Sequence, residues 1–288
     1  MLGSMVSLSQ PSLAMPLNLP HLGLLAALPA YLWLSASWPD ALRLSVGTLL
    51  GLAWLMAAER LWPHRPAWQA DRPALQRDAT FLGIGAVTDS LGAAALTALA
   101  LAWAPSTLLA GLPGLLAWPL AVALGELGPW ALHRWAHRGG WGWQVHALHH
   151  RPQQLNAANA VLVHPLNLLW NQAARQLPWW LLGFDPQVLV AAALFLQLQS
   201  LAVHANLRGS LGPLRGWIGS AELHRWHHSL DPAEALNFGT ALPLWDRLAG
   251  SFHAPGGEPR ALGVAGLAPP RLDELKTLLL HPVCRCLH

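Results

Sequence analysis

Four apolar runs constrain what this chain can fold into more than any other feature. They are Leu22 to Trp38, Leu44 to Trp62, Ala79 to Trp103 and Leu115 to Leu132. The first holds no charge, the second none until Glu59-Arg60, and the third only Asp89. A helix needs about 17–25 predominantly apolar residues to cross a bilayer core. Each run therefore reads as a span, the first being the shortest. Backbone polar groups must be satisfied internally in lipid, and helices do this segment by segment. The composition agrees. Charged residues are 11% of the chain, against about 25% in soluble domains. Seventeen Trp against one Tyr fit the preference of Trp for the membrane–water interface.

Past the fourth run the pattern changes. Pro165 to Phe184 carries Asn171, Gln172, Arg175 and Gln176, too polar for a lipid-facing span. Asp185-Pro186 is a turn signal, and Val188 to Val203 is apolar again apart from Gln197, Gln199 and Ser200. The segment 165–203 reads as a helical hairpin that dips into the membrane and returns. Arg60, Arg65, Arg72 and Arg77 lie in one loop, and Arg134, Arg138 and Arg151 follow the fourth run. The positive-inside rule places both groups in the cytoplasm, and the two intervening spans make these assignments agree.

The expected fold is thus all-α: a multi-span transmembrane bundle with a cytoplasmic, histidine-rich helical cap. Residues 1–20 read as a flexible tail, 21–125 as the N-terminal transmembrane helices, 115–253 as the catalytic region and 254–288 as a peripheral C-terminal tail. In that tail Arg271 to Leu280 reads as a short amphipathic helix. The net charge of +3 does not indicate a nucleic-acid partner, because the arginines are scattered rather than gathered on one stripe. Cys284 and Cys286 are separated by one residue, too close for an unstrained disulfide. The first twenty residues hold no Lys or Arg and three prolines, which does not read as a secretory signal. Heavy Ala, Leu and Arg usage points to a GC-rich bacterium, and hence to an inner-membrane location.

The histidines carry the chemistry. His133-Arg134-Trp135-Ala136-His137 is followed after eight residues by His146-Ala147-Leu148-His149-His150, and the latter template returns as His224-Arg225-Trp226-His227-His228. Helical residues three and four apart share a face, so each group is expected to aim its imidazoles at one point. These eight, with His204 at the end of the hairpin as a ninth, exceed the needs of one metal and suit two. Imidazole alone does not choose among Fe, Zn, Cu and Ni. Glu-x-x-His and His-Glu-x-x-His are both absent, which excludes the carboxylate di-iron bundle pattern and the zinc-protease motif. His204 has a second reading as an interface histidine. His164 is read as a further ligand, a supporting residue or a helix-start histidine.

With those residues in view, the chain resembles the fatty acid hydroxylase / sterol desaturase superfamily, membrane-bound histidine-box enzymes. His133–His137, His146–His150 and His224–His228 look like its three boxes. The stretch from His149 through Asn156 to His164-Pro165, the His204-Ala205-Asn206-Leu207 element, Asn237-Phe238-Gly239, and Leu244-Trp245-Asp246-Arg247-Leu248 resemble other parts of its pattern. So do Glu59-Arg60-Leu61-Trp62-Pro63 and Trp130. Glu126 stands where the family usually has Asp, and it keeps the carboxylate. The resemblance covers roughly residues 55–253. It implies two non-haem irons, dioxygen as co-substrate, and hydroxylation or desaturation of a lipid such as a sterol or fatty acyl chain. It also implies electrons from an external ferredoxin, cytochrome b5-like protein or reductase. The competing reading is a histidine-rich metal-handling membrane protein without oxygen chemistry.

The candidate catalytic carboxylates are Glu126 and Asp246. Glu126 lies about two helical turns before His133, hence on the same face, and is expected to accept from the far N–H of a ligand imidazole. Its alternative is an ion pair with Arg134 or Arg138. Asp246 is expected to do similar work, or to bind Arg247 and the backbone. Asn206 and Asn237 are expected to support the ligands.

Overall fold

The computed structural model describes residues 16–103 and 106–281. Cys284, Cys286 and His288, and most of the predicted N-terminal tail, lie outside the described residues. Ten α-helices follow one another: α1 (Leu19–Leu34), α2 (Asp40–Leu61), α3 (Arg72–Trp103), α4 (Gly114–Ala136), α5 (Gly140–His150), α6 (Pro165–Leu182), α7 (Pro186–Ala202), α8 (Ala221–His227), α9 (Leu244–Ala249) and α10 (Leu275–Leu280). Among the described residues β-structure is limited to isolated bridges. The fold is all-helical, as expected.

Among the described residues three helices are long and apolar enough to cross a membrane: Asp40–Leu61, Arg72–Ala100 and Gly114–Ala136. The first apolar run does not yield a fourth. Its helix has 16 residues, about 24 Å at 1.5 Å per residue, short of a hydrocarbon core of about 30 Å. It is tied down at its start instead. The Asn18 side chain caps its start by accepting from His21 N. The Asn18 N–H donates to Ser210 O at 2.8 Å, and the Ser210 N–H to Pro16 O at 2.9 Å. Residues 16–18 are therefore paired, and the predicted tail ends sooner than residue 20.

Helix α7 forms the centre. Leu194, Leu196, Leu198 and Leu201 are buried, and α7 packs against α1, α2 and α4. Lipid tails are as apolar as leucine, so close packing over small residues drives association here. Gly47 and Gly51 of α2 supply that surface: a Cβ would lie 2.9 Å from Leu194 Cδ1 at the first and 2.2 Å from Leu198 Cδ2 at the second. Helix α6 nests between α3 and α4. At Gly128 of α4 an added Cβ would stand 2.5 Å from the Ala174 carbonyl oxygen. The predicted hairpin is therefore two helices, and its returning arm is the core of the bundle. It delivers His204 to the end of α4 that bears His133. On the far side Leu278 of α10 packs with Phe81, Leu148 and Leu162, which docks the segment after Arg271 against α3 and α5.

A candidate metal centre with two histidine groups

Helix α4 runs unbroken into the first histidines and stops at Gly139 and Gly140, whose φ of +94° and +66° fall where glycine is the default residue. The tight reversal lays α5 back along α4, so that its last turn meets His133 and His137. Helix α8 brings the third cluster; the Ser220 side chain caps it by accepting from Leu223 N.

Nine imidazoles converge and divide into two groups. His133, His137, His146, His150 and His227 form one, and His149, His204, His224 and His228 form the other. Within each group one nitrogen per ring lies within 4.8 Å of every other. The expectation that each triplet serves one point is corrected. His146 and His150 of α5 go to the five-membered group and His149 to the four-membered one. Helix α8 does the reverse: His224 and His228 join the four-membered group and His227 the five-membered one. Adjacent helical residues point about 100° apart, so a His-His pair at the end of a triplet faces two centres. The groups touch where the rings of His150 and His228 stack at 4.2 Å between centroids.

The nitrogen geometry fits metal ligation. His146 Nε2 stands 3.0 Å from His150 Nε2, and His137 Nε2 3.2 Å from the same atom. In the other group, Nε2–Nε2 separations are 3.0 Å for His204–His224 and 3.2 Å for both His149–His204 and His224–His228. Two ligands at right angles on metal–nitrogen bonds of about 2.1 Å stand roughly 3.0 Å apart. Buried Nε2 atoms of His133 and His227 find no hydrogen-bond partner among the described residues, as expected for lone pairs aimed at an ion. Burial, with neighbouring imidazoles adding to it, holds His146, His149, His150, His204, His224, His227 and His228 well below the ordinary histidine range. They are neutral at pH 7, the form that binds metal.

Supporting hydrogen bonds set the rings. Each donates Nδ1–H and so leaves Nε2 free: His133 to Phe238 O at 2.7 Å, His146 to Asn167 Oδ1 at 2.8 Å, His227 to Leu236 O at 2.9 Å. In the four-membered group, His204 Nδ1 faces Asn159 Oδ1 at 3.5 Å.

The carboxylates act through the backbone rather than on imidazoles. Glu126 accepts from the N–H groups of Ala241 and Leu242 and from Thr240 Oγ1, so it neither reaches a ligand ring nor pairs with Arg134 or Arg138. Asp246 is fully buried. It accepts from Phe238 N, Gly239 N, Ser251 Oγ and Trp130 Nε1, and thereby fixes the carbonyl of Phe238 that holds His133. Gly239 is required there: a Cβ would sit 2.5 Å from Leu242 O and 3.0 Å from Asp246 Oδ2. Asn237 adopts φ +62°, tolerated by asparagine more than by most residues. Its amide donates to Leu223 O and His253 O and accepts from His253 N, which sets the loop carrying Leu236 O. Asn206 pairs both ways with the Arg65 backbone.

His164 stands outside both groups. Its Nδ1 accepts from Leu166 N at 3.1 Å and its Nε2 donates to Leu279 O at 3.2 Å, so it caps α6 and ties down the C-terminal segment. Sequence reasoning missed Asn159, Asn167 and the role of Glu59. One oxygen of Glu59 accepts from Ala157 N and Asn206 N, both at 2.6 Å, joining the turn that bears Asn159 to the turn after His204. A lone carboxylate at the end of an apolar run was the available signal.

The family model for fatty acid hydroxylases matches residues 118–251. The matched segment, a little under half of the chain, is similar to a fatty acid hydroxylase domain. All nine clustered histidines lie within the matched residues. Ornithine lipid hydroxylase of Rhizobium tropici is 37% identical over 145 residues, 48% of this chain and 44% of that protein. Alkylglycerol monooxygenase of Danio rerio is 28% identical over 142 residues, 47% of this chain and 30% of that protein. The human alkylglycerol monooxygenase is 25% identical over 136 residues, 45% and 29% respectively. The chain thus spans less than half the length of these curated relatives. No solved structure matches it.

Proposed function

We propose that this chain is a membrane-bound, iron-dependent lipid hydroxylase. The observation that carries the reading is the division of nine imidazoles, six of them buried and three partly buried, into two adjoining nitrogen-only groups at the end of a membrane-length helix, within the segment that matches the fatty acid hydroxylase model. His133, His137, His146, His150 and His227 would hold one iron, and His149, His204, His224 and His228 a second. The bound irons supply redox chemistry: with dioxygen, two electrons and two protons, a C–H bond becomes C–OH and the second oxygen leaves as water.

The chain's own residues do the rest. Phe238 O, Leu236 O and Asn167 fix the imidazole tautomers. Glu126 and Asp246 hold the 236–242 loop against α4. Burial keeps the rings neutral and bulk water away from the four-histidine group. A cleft of about 670 Å³, lined in part by His137 and His150, leads from the surface to the five-histidine group. Its volume falls within the roughly 300–1,000 Å³ of small-molecule sites. The relatives act, by their names, on an ornithine lipid and on alkylglycerols. A polar-headed membrane lipid is accordingly the proposed substrate, in preference to a sterol. Electrons come from a separate ferredoxin, cytochrome b5-like protein or reductase. The arginine-rich loops support a multi-pass protein of the bacterial inner membrane with the site facing the cytoplasm.

The deciding experiment uses purified protein from iron-replete cells, a reductant, lipid extract and labelled dioxygen. About two irons per chain and one labelled oxygen atom in a lipid product are expected. Iron without oxygen consumption would move the chain to metal handling, and a new double bond would make it a desaturase.

A further inference from the structure

The cleft beside His137 and His150 has a marked charge pattern. Arg134 and Arg138 line it, with apolar walls that include Leu230 and Val264, and no acidic side chain is among its lining residues. Elsewhere six arginines, Arg43, Arg65, Arg77, Arg151, Arg215 and Arg271, each have a carboxylate partner within 3.4 Å. Arg134 and Arg138 are among the described arginines that have none, and they are the two that line this cleft. Arg134 lies over the Trp130 ring at 5.6 Å, which positions the guanidinium without neutralising it. The 229–236 loop beside the cleft carries Asp231 and Glu234, neither of them a lining residue; Asp231 accepts from Ala233 N at 2.9 Å and Glu234 from Ser229 Oγ at 2.6 Å.

We infer that this cleft selects an amphiphile with an anionic headgroup, a carboxylate or phosphate, held by Arg134 and Arg138 while its chain lies along the apolar wall beside His137 and His150. This rests on the hydroxylase reading only for what happens to the lipid after binding. The charge arithmetic is simple. Two unpaired guanidiniums beside an apolar wall suit an oxyanion with a hydrocarbon attached, and guanidinium forks match carboxylate and phosphate oxygens. The shared lining reinforces it: both arginines border the same cleft as His137 and His150, so a bound headgroup sits beside the five-histidine group.

The test measures binding without turnover, so that it stands apart from the fate of the hydroxylase reading. Iron-loaded, full-length protein in nanodiscs of zwitterionic lipid is titrated anaerobically with hexadecyl phosphate and with hexadecanol. A charge-assisted contact is open to the phosphate and not to the alcohol, so the phosphate should bind at least about tenfold more tightly. Arg134→Gln/Arg138→Gln should bring the two ligands to within about threefold by weakening only the phosphate. Arg134→Lys/Arg138→Lys should keep part of the preference. Iron content reports folding. If the double variant loses iron, Arg138→Gln alone, at an exposed residue, should still reduce the preference. Equal affinities in the unaltered protein, or a preference that survives both Gln variants, would overturn the inference. So would displacement of hexadecyl phosphate by an equal concentration of inorganic phosphate, which would mark a simple anion patch. A lipid oxidised without headgroup preference would leave the hydroxylase reading standing and this inference refuted. A clear preference without any lipid product would do the converse.

Discussion

The five-histidine group borders a cleft, and three of its rings donate Nδ1–H to Phe238 O, Asn167 or Leu236 O. Burial hardly separates the two: in the four-histidine group His204 and His224 are 2% exposed and His228 not at all, and in the other His150 is 2% exposed and His227 not at all. The support of the four-histidine group is thinner. The buried Nδ1 atoms of His224 and His228 find no partner among the described residues, and Asn159 faces His204 at the long distance of 3.5 Å. One group borders the cleft and is oriented by polar partners; the other has fewer hydrogen bonds to fix its rings. A lipid entering the cleft meets the first group. A loop that carries ring-fixing carbonyls needs anchors of its own, which explains why Asp246 and Glu126, both buried, serve the 236–242 loop and not the imidazoles.

The largest effect should come from removing a ring from either group. His150→Ala and His224→Ala should each lower iron from about two per chain to about one and abolish lipid oxidation, as read by metal analysis and product formation. If one substitution empties both groups, the stacked His150–His228 contact makes them a single cooperative unit. Next is Asp246→Asn, which removes charge from an acceptor of four donors. Metal affinity of the five-histidine group should fall about 10–100-fold and thermal stability should drop, with the other group retaining iron. Glu59→Gln tests the opposite half. About tenfold weaker iron retention is expected in the four-histidine group, as for other supporting residues, and none in the five-histidine group; equal losses would refute the division of labour. The smallest effect is His164→Ala. Loss of a helix cap should cost about 1 kcal/mol in an unfolding assay and leave iron content unchanged. Loss of iron would return His164 to the ligands.

Much of this molecule was legible beforehand. Apolar length marked α2, α3 and α4, and the His-Pro and Asp-Pro steps marked the starts of α6 and α7. The overreach at Leu22–Trp38 has a physical origin: apolarity continues past Ser35, but the helix stops there, where Ser35 N and Oγ both donate to Tyr31 O. The nine converging histidines were also legible, since box spacing and shared sidedness need no coordinates. Glu126 stood out as a carboxylate inside an apolar helix, but its partners were misjudged; Asp246 was expected to serve a ligand ring or to bind Arg247 and the backbone, and it binds the backbone. The partners of Glu126 are main-chain N–H groups from a loop more than a hundred residues away. Backbone donors carry no sequence signature, and neither do the carbonyls of Phe238 and Leu236 that orient His133 and His227.

What the sequence alone determined is the donor chemistry and its helical presentation: imidazoles at i, i+3 and i+4 beside membrane-length helices, with no thiol or carboxylate competing among them. What only the tertiary structure decided is which imidazole joins which group. Neighbouring residues on a helix diverge by about 100°, so His149 and His150, or His227 and His228, must face different directions. Which direction meets a partner depends on the Gly139-Gly140 reversal that lays α5 along α4, and on the return of α7 through the core that brings His204 between α5 and α8.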